Sequence, residues 1–208
     1  AAEGGYTFTD DLGRTVTVDS TERVACLLGS FADVWVLAGG QVCAAADDAW
    51  EDFDLPLAPD AVNLGHTKEL SLEALLAAEP ELVLASVNSE QHLQWKDTLA
   101  AAGIPVAYFE VSDFDGYLRM LKICTGLAGR PELWEKNGLN LQKQIVGAVK
   151  NAENRGTHPK VLYLRASASS IRAKNSTGSV LGQMLSDLGC VNIADTDRTL
   201  LETLSMEH

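Results

Sequence analysis

NLGHTKELSLEALLAAEPELVLAS, residues 63–86, is the stretch whose reading decides the fold. Ser71 can cap a short helix in which Leu72, Leu75 and Leu76 fall at i, i+3 and i+4 and so share one face, with Glu73 pointing away from it. Pro80 has no backbone N–H to donate and restrains Glu79, so the helix stops near Ala78. Residues 81–85 are then almost unbrokenly apolar, the mark of a parallel strand covered on both faces, and Ser86 and Asn88 follow at its carboxyl end. The unit reads loop, helix, buried strand, polar loop. Open α/β sheets bind ligands outside the carboxyl ends of their strands, so the polar tip at Ser86 and Asn88 is placed for contact.

The same grammar extends in both directions. Residues 6–18 alternate apolar and polar around Asp10-Asp11-Leu12-Gly13-Arg14, a hairpin expected to decorate a sheet edge. Residues 23–28 form the first buried strand, a helix over 31–38 ends on Gly39-Gly40, and 41–46 form a second strand. Strand, helix, strand is the right-handed crossover that builds parallel sheets. Residues 47–59 read as a long loop carrying Asp47, Asp48, Glu51, Asp52 and Asp54 beside Trp50 and Phe53. Loops of this length are often functional, although a cluster of acids is more often a solvated surface, and the spacing does not match a calcium loop. After residue 86, a helix over 91–102, a strand over 104–109 and a helix over 113–127 continue the alternation.

Pro131 starts a further helix, and no proline interrupts it before about Glu153. Trp134, Leu141, Ile145 and Val149 recur at near-helical spacing, and the run would span on the order of 33 Å, enough to bridge two lobes. A break at 155–159 precedes a strand over 160–165. A serine-rich polar loop follows over 166–177, then a helix over 179–188, a short strand over 190–194, and the start of another helix at 204–208. The expected fold is α/β: an N-terminal lobe with a parallel sheet (1–130), a bridging helix (131–154) and an incomplete α/β second lobe (155–208). Two strands in the last segment cannot bury a core like that of the first lobe, so a natural continuation of the chain is expected.

Composition narrows the function. The 208 residues are 46% hydrophobic, enough for a buried core, and carry no apolar run near the roughly 20 residues that span a bilayer. A net charge of −13 argues against nucleic acid and anionic lipid as partners. No G-x-G-x-x-G, G-x-x-x-x-G-K-[ST], G-x-S-x-G or H-E-x-x-H occurs, which disfavours the corresponding enzyme classes. His66, His92, His158 and His208 are too few and too scattered for a bare-metal site. Cys26, Cys43, Cys124 and Cys190 show no CxxC and read as free thiols. A Cys26–Cys43 bridge between neighbouring strands is the one plausible exception.

Several landmarks in order carry a family likeness. D-L-G-R-T-V-T-V at 11–18 followed by Arg23-Val24, L-G-H at 64–66, L-S-L-E-A-L-L, E-P-E-L-V-L-A, G-I-P-V at 103–106, T-G-L-A-G-R at 125–130 and L-G-C-V-N-I-A at 188–194 together resemble the substrate-binding proteins of ABC importers for iron complexes, haem and cobalamin. The resemblance covers nearly the whole chain. It implies a bilobed, extracytoplasmic protein, periplasmic or lipid-anchored, that holds its ligand in the cleft and delivers it to a membrane permease. One glutamate on each lobe would dock on the permease; the matching positions are Glu73 and Glu207, although Glu73 equally suits the dipole at a helix amino terminus.

The ligand candidates are polar or aromatic residues after the strands: Ser30, Phe31, Trp50, His66, Ser86 and Asn88, with Arg165 and Arg172 in the second lobe; Ser112, Ser167 and Lys174 belong to the same loops. Guanidinium groups suit a negatively charged ferric siderophore. Haem would instead want an axial ligand such as His66 and an apolar slot, and Trp50 could either stack on a flat ligand or cover the core. The leading expectation is a ferric-siderophore binding protein with no resident cofactor, followed by haem or cobalamin; the rival of another class is an enzyme or sensor module on the same fold. A second copy of the chain could cover the exposed face of the incomplete lobe.

Overall fold

The computed structural model describes residues 5–166, 170–177 and 179–197, together with the backbone of 203–204. The chain divides into two compact units, 1–139 and 140–208.

The first unit opens with a hairpin of β1 (Tyr6–Thr9) and β2 (Thr15–Val18). β3 (Val24–Cys26), α1 (Gly29–Leu37), β4 (Val42–Ala45), α2 (Asp48–Glu51), β5 (Val62–Asn63), α3 (Leu72–Ala77), β6 (Leu82–Ser86), α4 (Glu90–Gln94), α5 (Lys96–Ala101), β7 (Val106–Phe109) and α6 (Phe114–Leu127) follow. The five strands β3 to β7 form one parallel sheet in the order β5-β4-β3-β6-β7. Counted along the chain, this is 3-2-1-4-5, so the strand order reverses between β3 and β6. Such a switch point opens a crevice beyond the strand ends.

Alternation along the strands explains why both faces are covered. Leu82 and Leu84 face one core with Phe31, Trp35, Met120, Leu121 and Cys124 of α1 and α6. Val83 and Ala85 face the other with Leu75, Trp95 and Leu99 of the α3 to α5 side. A period of two therefore places neighbouring residues of one strand in different cores. Ser71 caps α3 by accepting the Ala74 N–H at 3.1 Å, as its place before the apolar run requires. Helix α3 ends on Glu79, which takes φ +46 without being glycine, and the Arg23 guanidinium binds the freed carbonyls of Ala78 and Glu79.

The hairpin is fastened to the outer edge of β7. Asp10, fully buried, accepts from Leu12 N, Arg14 N, the Arg14 guanidinium and Tyr108 N. Asp11 N donates to the Tyr108 carbonyl and Arg14 Nη2 to that of Val106, which satisfies backbone groups an exposed edge strand would leave free.

Several sequence expectations change. The loop over 47–59 contains α2, because Ala49 packs into the core and Asp48 bonds back to Gly29. The helix over 91–102 is two helices meeting at Trp95, whose side chain is drawn into the core beside Leu99. The helix beginning at Pro131 is realised as α7 (Pro131–Trp134), a π-helical turn (Glu135–Leu139) and α8 (Asn140–Arg155). Within the turn Gly138 packs under the Trp134 ring, a fit that helical periodicity cannot reveal. All four cysteines are free. Cys26 and Cys43 lie on neighbouring strands but in different cores, so the sheet itself separates the two thiols and the expected exception is excluded.

The second unit contains α8, β8 (Lys160–Val161), β9 (Tyr163–Ala166), β10 (Ile171–Lys174), α9 (Val180–Asp187), β11 (Val191–Asn192) and β12 (Thr203–Leu204). β9, β10 and β12 form an antiparallel sheet with β10 in the centre, and β8 pairs with β11 in parallel. The polar loop expected over 166–177 thus holds a strand, the strand over 190–194 gives way to a 3-10 turn after Asn192, and Leu204 lies in a strand rather than a helix. β10 escapes a sequence search because Ile-Arg-Ala-Lys carries its charges on one face and only four residues of pattern. Ala173 and Ala194 are buried here, whereas Leu164, Val180, Leu181, Met184 and Leu188 remain exposed.

Candidate ligand-binding site

The reversal between β3 and β6 brings two loops side by side at the carboxyl ends of the first sheet: residues 27–30 after β3 and 87–89 after β6. Leu27 N donates to the Leu84 carbonyl, so the two strands stay paired up to the mouth of the crevice. Ser30 is exposed at the start of α1. Phe31 is buried and packs edge-on against Phe109 at 6.2 Å, making it a wall of the core beneath that end. Trp50 is half-buried on α2 and packs on the same core.

Helix α2 is clamped onto this end by Asp48, whose Oδ1 accepts the Gly29 N–H at 2.8 Å. Burial pushes its carboxyl above the usual range, with the Gly29 amide pulling the other way. A side chain at Gly29 would bring a Cβ within 2.6 Å of the Ala49 backbone nitrogen, so only glycine lets α2 approach so closely.

The His66 loop is a stack of short turns. Asn63 Oδ1 accepts the Gly65 N–H at 2.8 Å, Glu69 N donates to the His66 carbonyl at 2.7 Å, and Asp47 N donates to the Gly65 carbonyl at 3.0 Å. His66 is exposed, and its Nδ1 accepts the Lys68 N–H at 3.2 Å. This contact favours the Nε2–H tautomer of the neutral ring. Gln91 ties the loop to α4, with its Nε2 donating to the Leu70 carbonyl and its Oε1 accepting the Leu70 N–H.

This brings the His66 loop and the tip after β6 to one pocket of about 520 Å³, lined by Thr67, Lys68, Asn88, Ser89, Glu90, Gln91 and Gln94. Asn88 is exposed into it, whereas Ser86 is 6% exposed and spends its hydroxyl accepting the Asn88 N–H at 3.1 Å. Ser86 therefore shapes the tip more than it presents itself. Thr67, Lys68, Gln91 and Gln94 were not singled out by sequence. Adjacency to His66 pointed to the first two; the glutamines, three apart on a helix, carried no signal of their own. A larger groove of about 930 Å³ lies at the opposite ends of the strands, near Pro80 and Pro105. Two of its charges are already committed: Arg14 to Asp10, and Glu81 to Ser20 and the amides of Glu22 and Arg23. Those bonds, the Ser20 hydroxyl first, hold the Glu81 carboxyl below its usual range.

In the second unit, Arg165 and Arg172 are register partners across β9 and β10 and both are exposed. Directly opposed residues share a face, as do residues two apart along a strand, so Lys174 and Tyr163, the next pair of that register, join them. One sheet face thus carries three cations. Among the described residues none of the three forms an ion pair with a carboxylate. Glu73 is exposed in the first turn of α3, while Glu207 and Ser167 lie outside the described residues. Among the described residues no group of three or more His, Cys, Asp or Glu side chains could hold a metal ion.

Comparison with solved structures finds the same fold. The siderophore binding protein BauB, solved with two acinetobactin molecules and ferric iron, superposes with a TM-score of 0.70 at 18% identity, over 90% of this chain and 67% of its own. The periplasmic haem-binding protein RhuT from Roseiflexus sp. RS-1 gives 0.69 at 21% identity, over 89% and 71%. Staphylococcus aureus SirA, solved with staphyloferrin B, gives 0.68 at 18%, over 93% and 66%. The chain thus spans about two thirds of the length of these proteins. No curated protein sequence matches it. The model of the periplasmic binding protein family matches residues 24–208, from the first strand of the parallel sheet onward, and the chain belongs to that family.

Proposed function

We propose that this protein is the ligand-capturing component of an ABC importer and that its ligand is an anionic ferric chelate of the siderophore type. The observation that carries the reading is the opposition of Arg165 and Arg172, with Lys174 on the same face and no carboxylate partner among the described residues. Like charges directly opposed across a sheet destabilise it by a few tenths to about 1 kcal/mol, and here they persist in a chain of net charge −13. A ligand that presents carboxylates or catecholates to this face turns the repulsion into charge-assisted hydrogen bonds. The first unit carries candidate contacts of its own: Asn88, Ser30 and the His66 loop offer neutral and donor groups, Lys68 adds a cation and Ser86 shapes the tip. Haem is the weaker fit, because the pocket beside the His66 loop is lined by polar side chains such as Lys68, Asn88 and Gln91 and offers no apolar slot.

The family acts outside the cytoplasm as binding proteins, and among the described residues no helix is long and apolar enough to cross a membrane. On this reading Glu73, exposed on α3, and Glu207 contact basic residues of the permease, and the protein is either free in the periplasm or held at the surface by a lipid anchor.

Titration with ferric citrate, a ferric tris-catecholate and haemin, followed by tryptophan quenching and absorbance, tests the ligand. Arg165→Glu and Arg172→Glu should each weaken a bound ferric chelate about tenfold or more, the loss of roughly one charge-assisted contact. A haemin Soret shift abolished by His66→Ala, with no chelate binding, would sink the siderophore assignment.

A further inference from the structure

His92 is a buried titratable side chain beneath the tip that direct ligand contact does not use. It is completely buried on α4, its Nδ1 accepts the Ser86 N–H at 3.1 Å, and its Nε2 finds no hydrogen-bond partner among the described residues. Its backbone is pinned as well: the Ser89 hydroxyl accepts its N–H at 3.4 Å, and the buried Tyr108 hydroxyl donates to its carbonyl at 2.7 Å. Ser86 in turn accepts the Asn88 amide. One side chain thus sits beneath the turn 86–89 and holds its first residue, while Ser89 closes the turn back onto the same residue.

Stability alone does not account for a histidine here. The Ser86 amide needs an acceptor, which a glutamine or a serine also offers, and histidine in this tautomer leaves a buried Nε2–H unsatisfied. What histidine alone adds is an acceptor that disappears on protonation. We propose that His92 is the positioning residue of the binding tip: its neutral imidazole fixes Ser86, and through Ser86 the outward presentation of Asn88 to the ligand, and its protonation releases the tip. This rests on the assignment of the tip to ligand contact made above.

The surroundings leave the imidazole free to act as such a latch. β6 contributes no titratable group, and β7 contributes Tyr108, which has the Arg14 guanidinium 4.8 Å from its ring centre and Asp10 at its amide. The charged residues of α4 and α5, Glu90, Lys96 and Asp97, are exposed. Burial by itself pushes the His92 imidazole down to about 4, with no neighbouring charge contributing. The latch is therefore closed at neutral pH and opens only in acid.

The test has a ligand-free arm and a ligand arm. In 15N–1H spectra recorded from pH 7.5 to 3.5, the Ser86 and Asn88 amides should move together with the His92 imidazole nitrogens, with one midpoint near pH 4. His92→Gln should abolish that midpoint while keeping the Ser86 shift near its neutral position, and His92→Leu should raise the exchange rate of the Ser86 amide about tenfold or more. Amides that ignore the imidazole titration overturn the proposal. With a ferric tris-catecholate at pH 7.4, His92→Leu should bind at least tenfold more weakly and His92→Gln within about threefold of the parent. Wild-type affinity in His92→Leu, with the tip amides shifted by the chelate, overturns the positioning role alone. A chelate that binds without shifting residues 86–89 in the parent overturns the assignment of the tip to ligand and with it this role. If neither variant folds stably, the parent's titration in the ligand-free arm decides.

Discussion

Replacing Asp10 by alanine should cost the first unit about 3 kcal/mol. The carboxylate has no exposed surface and accepts from the amides of Leu12, Arg14 and Tyr108 as well as from Arg14 Nε and Nη2, the last at 2.6 Å. Removing one partner of a buried pair costs about 3–5 kcal/mol when the other is left uncompensated, and each orphaned buried N–H adds about 1–3. Two features reduce the sum. The Arg14 side chain is 36% exposed, so water screens and solvates it, and it keeps the Val106 carbonyl and the Tyr108 ring. The Leu12 amide is near enough to the surface to find water. What remains is chiefly the buried Tyr108 amide and a weakened ion contact, hence the figure of about 3. Asp10→Asn keeps an acceptor for the turn amides and should lose about 1–2 kcal/mol. Urea unfolding at pH 7.4, followed by tryptophan fluorescence, reads both. A loss below about 1 kcal/mol for Asp10→Ala at unchanged denaturant slope would refute the view that this carboxylate fastens the hairpin to β7.

Two further outcomes are expected. The pH dependence of stability should carry the signature of His92: folding holds its pKa near 4 against about 6.5 unfolded, so the unfolded chain binds the extra proton between those values and stability falls as the pH drops through that window, by about 3 kcal/mol in full. Comparison of the parent with His92→Gln at pH 7 and pH 4.5 isolates that contribution from the carboxylates, and equal pH slopes would contradict it. Gly29→Ala should destabilise by about 1–3 kcal/mol, since the new Cβ meets backbone 2.6 Å away, and it should shift Trp50 emission as α2 is displaced; an unchanged spectrum and stability would count against the close packing of α2 on α1.

The candidate site was legible in the sequence only in part. Asn88 is a candidate because it follows a clearly punctuated strand, and strand ends are where open α/β sheets bind, whereas His66 is a candidate through the family resemblance of its L-G-H loop. Phe31 and Ser86 carried the same positional signal, yet one is a core wall and the other a scaffold for Asn88, because position after a strand does not say which way a side chain turns. Arg165 reads as the end of a strand and Arg172 as part of the serine-rich polar loop that follows it. Their opposition depends on β10 pairing with β9, which four residues of weak pattern do not announce. His92 looked like a stray helix histidine, since nothing local marks its burial under Ser86.

What the sequence by itself determined are the features written in local chemistry. These are the Ser71 cap, the stop before Pro80, the unbroken apolar run that marks a strand covered on both faces, and the hairpin around Asp10 and Gly13. Tertiary structure alone decided the 3-2-1-4-5 strand order, the side-by-side placement of the loops after β3 and β6, the separation of Cys26 from Cys43, and the hydrogen-bond partners of His66 and His92. The division has a physical cause. Caps, turns and amphipathic faces are set by residues within a turn or two of each other. Strand order and buried hydrogen bonds arise from groups tens of residues apart, whose meeting is chosen by the packing of the whole sheet.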